Sequence, residues 1–199
     1  LKFPIRLKLK SIIVVLFLVA LLWAALPATD AFTNTNGTAL ATHSASWTQN
    51  NGAMDIQTNS LHPNSAAGQS MAGWNADTFG NDQYAQITIA AITTGTYIGP
   101  AVRVATSNLT GYRCVAASNE VLLQLENGGS ETGLGTYTAT INVGDVIRLE
   151  ISGTSLVCKV NGVSRITATN ATLTSGRGGV SGYNNAVGVR ADDWEAGNL

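Results

Sequence analysis

The chain has 199 residues, 45% of them hydrophobic and only 12% charged, which is room for one domain with its own core behind a short leader. Four of its eleven basic residues, Lys2, Arg6, Lys8 and Lys10, fall in the first ten positions, so seven face twelve acidic residues thereafter, a formal charge of −5. With Lys159 the sole lysine beyond the leader, the basic patch that a nucleic-acid binder needs is excluded.

The basic start runs into fifteen apolar residues, Ile12 to Leu26, and then Pro27 and small side chains. Charged, apolar and small regions in that order are the pattern of a secretory signal, and the run is shorter than the roughly 20 residues of a full bilayer span. Residues 1–29 are therefore read either as a signal peptide, cut after Ala28 or Ala31, or as a retained signal-anchor helix with membrane contact through residues 11–26. Both readings put residues 30–199 outside the cytoplasm, secreted or at the cell surface.

Beyond the leader the composition turns to Thr, Ser, Asn, Gly and Ala, which suits short strands joined by polar turns. Alternation of period two recurs. It sets Ile87 and Ile89 on one face of "QYAQITIA", Val102 and Val104 opposite Arg103, and Val121, Leu123 and Leu125 opposite Gln124 and Glu126. Further on, Ile147, Leu149 and Ile151 stand against Arg148 and Glu150, and Leu156, Cys158 and Val160 against Val157 and Lys159. The "SGTS" link and Asn161-Gly162 join the last three runs as a meander, the Asn-Gly pair being a strong hairpin signal. Many short strands with one apolar face each predict an all-β, two-sheet antiparallel sandwich, preceded by the N-terminal hydrophobic helix.

Two cysteines, Cys114 and Cys158, remain. An oxidising compartment permits a bridge between them, while a buried free thiol would pack as a small hydrophobe, and both readings stand.

The segments "DAFTNTNGTALATHSASWTQNNGAMDI", "WNADTFGNDQYAQITI", "GPAVRVA", "GYRCVAA", "GDVIRLEISGTSLVCKVNGVSRITAT" and "GVRADDWEAG" resemble the concanavalin A-like lectin and glucanase superfamily, in its laminin-G-like bacterial and phage variety. The resemblance implies a jelly roll with neighbouring termini and a concave face that meets glycans in lectin relatives. It implies nothing about catalysis by itself.

A glucanase needs two carboxylates flanking the scissile bond, which the retaining branch of the superfamily carries as Glu-x-Asp-x-Glu on one strand. That spacing is absent, and Asp193 and Glu195 in "ADDWEAG" read as structural, so no catalytic residue is assigned. His43 and His62 lack neighbours at metal-ligand spacing. Asn75, Asp77, Asn81 and Asp82 crowd one polar loop where calcium could find oxygen ligands, although the same residues cap turns. For a glycan or other surface ligand the candidates are Trp74, beside that loop, with Arg103, Arg113, Gln124, Arg148 and Glu150, which stand opposite apolar stripes and could line one outer face. Cross-strand ion pairing on a solvated face accounts for the same polar residues.

These readings converge on an exported, non-catalytic lectin-like module that binds carbohydrate or another surface ligand. The alternative is a structural subunit of a cell-surface filament, appendage or virion, a homopolymer held by the retained helix.

Overall fold

The computed structural model describes residues 26–65, 68–183 and 188–199. The leader helix falls on residues outside this set, and with it most of the membrane contact through residues 11–26 and the retained-helix route to a homopolymer. Among the described residues no helix is long and apolar enough to cross a membrane.

Fifteen strands and one helical turn follow in order: β1 Ala28–Asp30, α1 Leu40–His43, β2 Trp47–Asn51, β3 Met54–Ile56, β4 Leu61–Pro63, β5 Gln69–Trp74, β6 Gln83–Ala91, β7 Tyr97–Val104, β8 Gly111–Ala117, β9 Glu120–Asn127, β10 Ser130–Thr138, β11 Val146–Ser152, β12 Ser155–Val160, β13 Val163–Thr169, β14 Arg177–Tyr183 and β15 Arg190–Asn198. One antiparallel sheet has the order β13-β12-β11-β6-β15-β4-β3, with β1 paired to β15; the other has the order β10-β9-β8-β7-β14-β5-β2. Alternating apolar residues of the two inner faces, among them Ile87, Ile147, Leu149, Leu156, Tyr112 and Leu123, interlock as a dry core. The pairing of Ala28 with Ala196 brings the two ends of the sandwich together and starts it two residues before position 30.

The meander forms as its alternation dictates. β11 pairs with β12 and β12 with β13, and both Asn161 and Gly162 have positive φ (51° and 78°), the geometry that a two-residue hairpin turn demands. Cys114 of β8 and Cys158 of β12 both point inward and are bridged, tying one sheet to the other across 44 residues of chain.

Arg103 departs from the alternation read in the sequence. Its φ of +49° kinks β7, so that Val102 faces the main core while Val104 turns to the opposite side with Met71, Ala101 and Leu109. The side chain is buried, and its guanidinium donates to the carbonyls of Asn81 (3.1 and 2.8 Å), Leu173 (2.6 Å) and Gly153 (2.8 Å). It ties three loops together at one end of the sandwich and does not line an outer face.

Asp30, at the end of β1, is similarly committed. Its carboxylate accepts from the Phe32 amide (2.8 Å), His43 Nε2 (2.9 Å) and Trp47 Nε1 (2.7 Å). Trp47 in turn packs edge-on against Trp74 and Trp194, with ring centroids 5.2 and 4.6 Å away. Each such aromatic pair is worth about 0.5–1.5 kcal/mol beyond its buried area.

Candidate functional site

The outer face of the seven-stranded sheet carries the residues that alternate with its core positions. On β8, Tyr112, Cys114 and Ala116 point inward, which leaves Arg113 and Val115 outward; on β9, Val121, Leu123 and Leu125 point inward, which leaves Leu122, Gln124 and Glu126 outward. Around them Gln69 of β5, Tyr97 of β7, Glu131 of β10 and Tyr183 of β14 close a depression of about 450 Å³. A second depression of about 470 Å³ shares Gln69 and Tyr183 with the first and continues past Asn51 and Asn108 to the Gly128-Gly129 turn. Together they make a trough across the sheet.

At the floor lies Arg113, 2% exposed. Its Nε donates to Gln124 Oε1 (2.9 Å), Nη1 to Ser181 Oγ (3.4 Å) and Nη2 to Glu131 Oε2 (2.6 Å). Glu126 Oε1 also lies 2.7 Å from Nη2, as an ion pair outside hydrogen-bond geometry, and neither oxygen of this sealed carboxylate has a hydrogen-bond partner. Burial pushes the Glu126 carboxyl up from its ordinary range, Arg113 pulls it down and Glu131 pushes it up further. Glu131 is the reverse case, with a side chain 42% exposed and a carboxylate that accepts from Arg113, from Gln69 Nε2 (2.8 Å) and from Gln124 Nε2 (2.7 Å). At the far wall Tyr97 donates its hydroxyl to Glu120 Oε1 (2.7 Å), and that hydrogen bond, with burial behind it, pushes the phenol up to about 12. The Tyr97 and Tyr183 ring centroids are 6.4 Å apart.

Of the candidates read from the sequence, the structure brings Arg113 and Gln124 together here. Arg148 and Glu150 lie on the outer face of the other sheet, because alternation assigns a residue to a face but not to a sheet. There Arg148 stacks on Tyr84 (3.6 Å to the centroid) and bonds Glu150 (2.7 Å) and Gln86 (3.0 Å), and Lys159 also reaches Glu150 (2.8 Å). Burial would raise Glu150, but the bonds from Lys159 and Arg148 outweigh it and hold the group below its ordinary value. Trp74 sits in the tryptophan cluster and donates Nε1 to Asp77 Oδ2 (2.7 Å). In the polar loop Asn75 donates to Thr48 Oγ1 (2.6 Å), the Asn81 carbonyl takes Arg103, and Asp82 accepts from Ser152 Oγ (2.9 Å) and the Gly153 amide (2.7 Å). Among the described residues no three His, Cys, Asp or Glu side chains gather for a metal ion.

The sequence reading passed over Gln69, Tyr97, Glu131 and Tyr183. Three of them start or end strands, where alternation carries no signal. Glu131 had one: Gly128-Gly129 as a two-residue turn sets it directly opposite Glu126, and two facing carboxylates call for a cation between them.

No family model and no curated protein matches the sequence. Solved structures do. The carbohydrate-binding module CBM66 of Bacillus subtilis superposes with a TM-score of 0.61 at 18% identity, over 77% of this chain and 92% of that one. The Bacillus licheniformis β-glucanase superposes at 0.53 with 10% identity, over 88% and 99%. The exoplasmic domain of VIP36, in its Ca2+/Man3GlcNAc-bound form, superposes at 0.55 with 14% identity, over 77% and 84%. The fold is the concanavalin A-like jelly roll. A carbohydrate-binding module and a glucanase share this fold, so the fold by itself assigns the present chain no activity.

Proposed function

We propose that the domain is a non-catalytic glycan-binding module whose ligand lies in the trough on the seven-stranded sheet. The observation that carries this reading is the lining of the first depression. Tyr97, Tyr183 and Leu122 offer apolar surface, and Gln69, Gln124 and Glu131 offer planar polar groups, which suits a pyranose with one apolar face and a rim of hydroxyls. The likeness to a carbohydrate-binding module and to a domain solved with Man3GlcNAc bound supports it. Support for a non-catalytic role comes from the carboxylates. Glu131 is the carboxylate in the lining of the depression, and Glu126 is sealed from any ligand, so among the described residues there no pair stands on opposite sides of a scissile bond. The signal-like leader supports export, to the medium or the cell surface.

A glycan array of the purified protein, with calcium and with chelator, tests the reading. Binding that Tyr183→Ala weakens by about tenfold, roughly 1.4 kcal/mol, without altering the melting temperature is the expected result. An array without hits under both conditions would remove it.

A further inference from the structure

The polar groups of the first depression already form a carboxylate receptor. Three donors from three strands converge on one carboxylate: Arg113 Nη2 and Gln69 Nε2 on Glu131 Oε2 at 2.6 and 2.8 Å, and Gln124 Nε2 on Oε1 at 2.7 Å. We propose that this triad of donors recognises the carboxylate of a uronic acid residue within a bound glycan, and that Glu131 is an internal stand-in which the ligand displaces. The inference rests on the trough being the glycan site.

Two of the donors, Arg113 and Gln124, are buried and held, and the acceptor is not. Arg113 is buried and is itself oriented by Gln124 Oε1 and Ser181 Oγ, and the same bond from Arg113 turns the Gln124 amide nitrogen toward Glu131. Glu131 arrives from β10, the outermost strand of its sheet, with its side chain 42% exposed and its neighbours Ser130 and Thr132 exposed as well. Turned outward, it would be hydrated at once.

A neutral sugar cannot make that exchange. Its hydroxyls would have to replace a charge-assisted acceptor with a weaker, uncharged one, leaving Arg113 with Glu126 as its carboxylate partner and the Gln69 and Gln124 amides with none. A uronate carboxylate restores each bond that Glu131 gives up. Glu126 lies beneath, and burial favours the neutral form of its carboxyl. The tyrosine rings and Leu122 then bound the apolar side of the same sugar residue.

The test is isothermal titration of the full chain with hexamers of 1,4-linked galacturonate, glucuronate and mannuronate, each beside its carboxyl-reduced neutral counterpart, and with hexaglutamate. At least one hexauronate should bind about tenfold more tightly than its reduced form. Glu131→Ala, which vacates the receptor, should tighten uronate binding by threefold or more; Glu131→Gln, which keeps the volume and removes the charge, serves should the alanine variant not fold. Equal affinity for charged and reduced hexamers, or weaker uronate binding by the Glu131 variants, would overturn the inference and leave the glycan reading intact. Equal affinity for hexaglutamate would overturn it too, making the carboxylate and not the sugar the ligand. No binding of any hexamer, charged or reduced, would remove both.

Discussion

Glu126 and Glu131 stand directly opposite one another across the β9–β10 ladder, and both carboxylates reach the same nitrogen, Arg113 Nη2, at 2.7 and 2.6 Å. Like charges facing across a sheet repel, and here one guanidinium from the neighbouring strand β8 offsets two of them. The two partners nevertheless live in different solvents, Glu126 sealed in the sheet and Glu131 open to water. Burial therefore favours the protonated form of Glu126.

With its carboxyl raised above the ordinary value of 4.5, chiefly by burial, Glu126 holds its proton more tightly in the native state than in the unfolded chain. The sign follows. This contribution to stability is fully present below the unfolded value and is lost as pH rises through the folded one. Glu126→Gln, neutral at every pH, should therefore gain stability over the parent at about pH 8, with the gain shrinking toward about pH 4, in urea midpoints taken across that range. A difference independent of pH would mean that the carboxyl binds its proton equally in the native and unfolded chains, with no upward shift on folding.

Arg103 and Arg148 both stand beside apolar residues in the sequence, and the structure predicts opposite fates for their removal. Arg103→Ala removes the buried guanidinium that the carbonyls of Asn81, Leu173 and Gly153 share, and should destabilise by about 2–3 kcal/mol. Arg148→Ala loses a half-exposed contact with Glu150 and a stack on Tyr84, and should cost about 1 kcal/mol. Equal losses in chemical denaturation would contradict the assignment of Arg103 as the loop tie.

What could be read from the sequence follows from how each signal arises. The β11–β12–β13 meander was legible because its alternation is unbroken and Asn161-Gly162 fixes its turn, and Arg113 and Gln124 were legible because they stand opposite runs of core residues. Arg103 sits in an equally clear alternation, yet one left-handed residue reversed the faces around it, and a non-glycine at positive φ leaves no mark in composition. Glu131 lies on an edge strand, Ser130–Thr138, whose first four residues are exposed and whose Leu134 and Tyr137 are only partly buried, so no apolar stripe announces it.

The bridge between Cys114 and Cys158 closes 44 residues and joins the two sheets. Replacing both cysteines by alanine should lower stability by about 2–5 kcal/mol, read as a shift of the urea midpoint that persists without reductant. Adding reductant to the double variant should change nothing further, while in the parent it should bring the midpoint down to the variant's.

The commitments of Asp30 bear on where a leader can be removed. A cut after Ala31 would take away Asp30 and leave the buried indole Nε1 of Trp47 and the His43 ring without their shared acceptor, beside the tryptophan cluster that joins the sheets. An unmet buried donor costs about 1–3 kcal/mol, and the pairing of Asp30 with Trp194 would go with it. A cut after Ala28 leaves the side-chain bonds of Asp30 intact and gives up only the pairing of Ala28 with Ala196. In a processed chain the intact mass of the native protein should therefore show Thr29 as the first residue. A mass that begins at Phe32 would mean that the sandwich closes without β1.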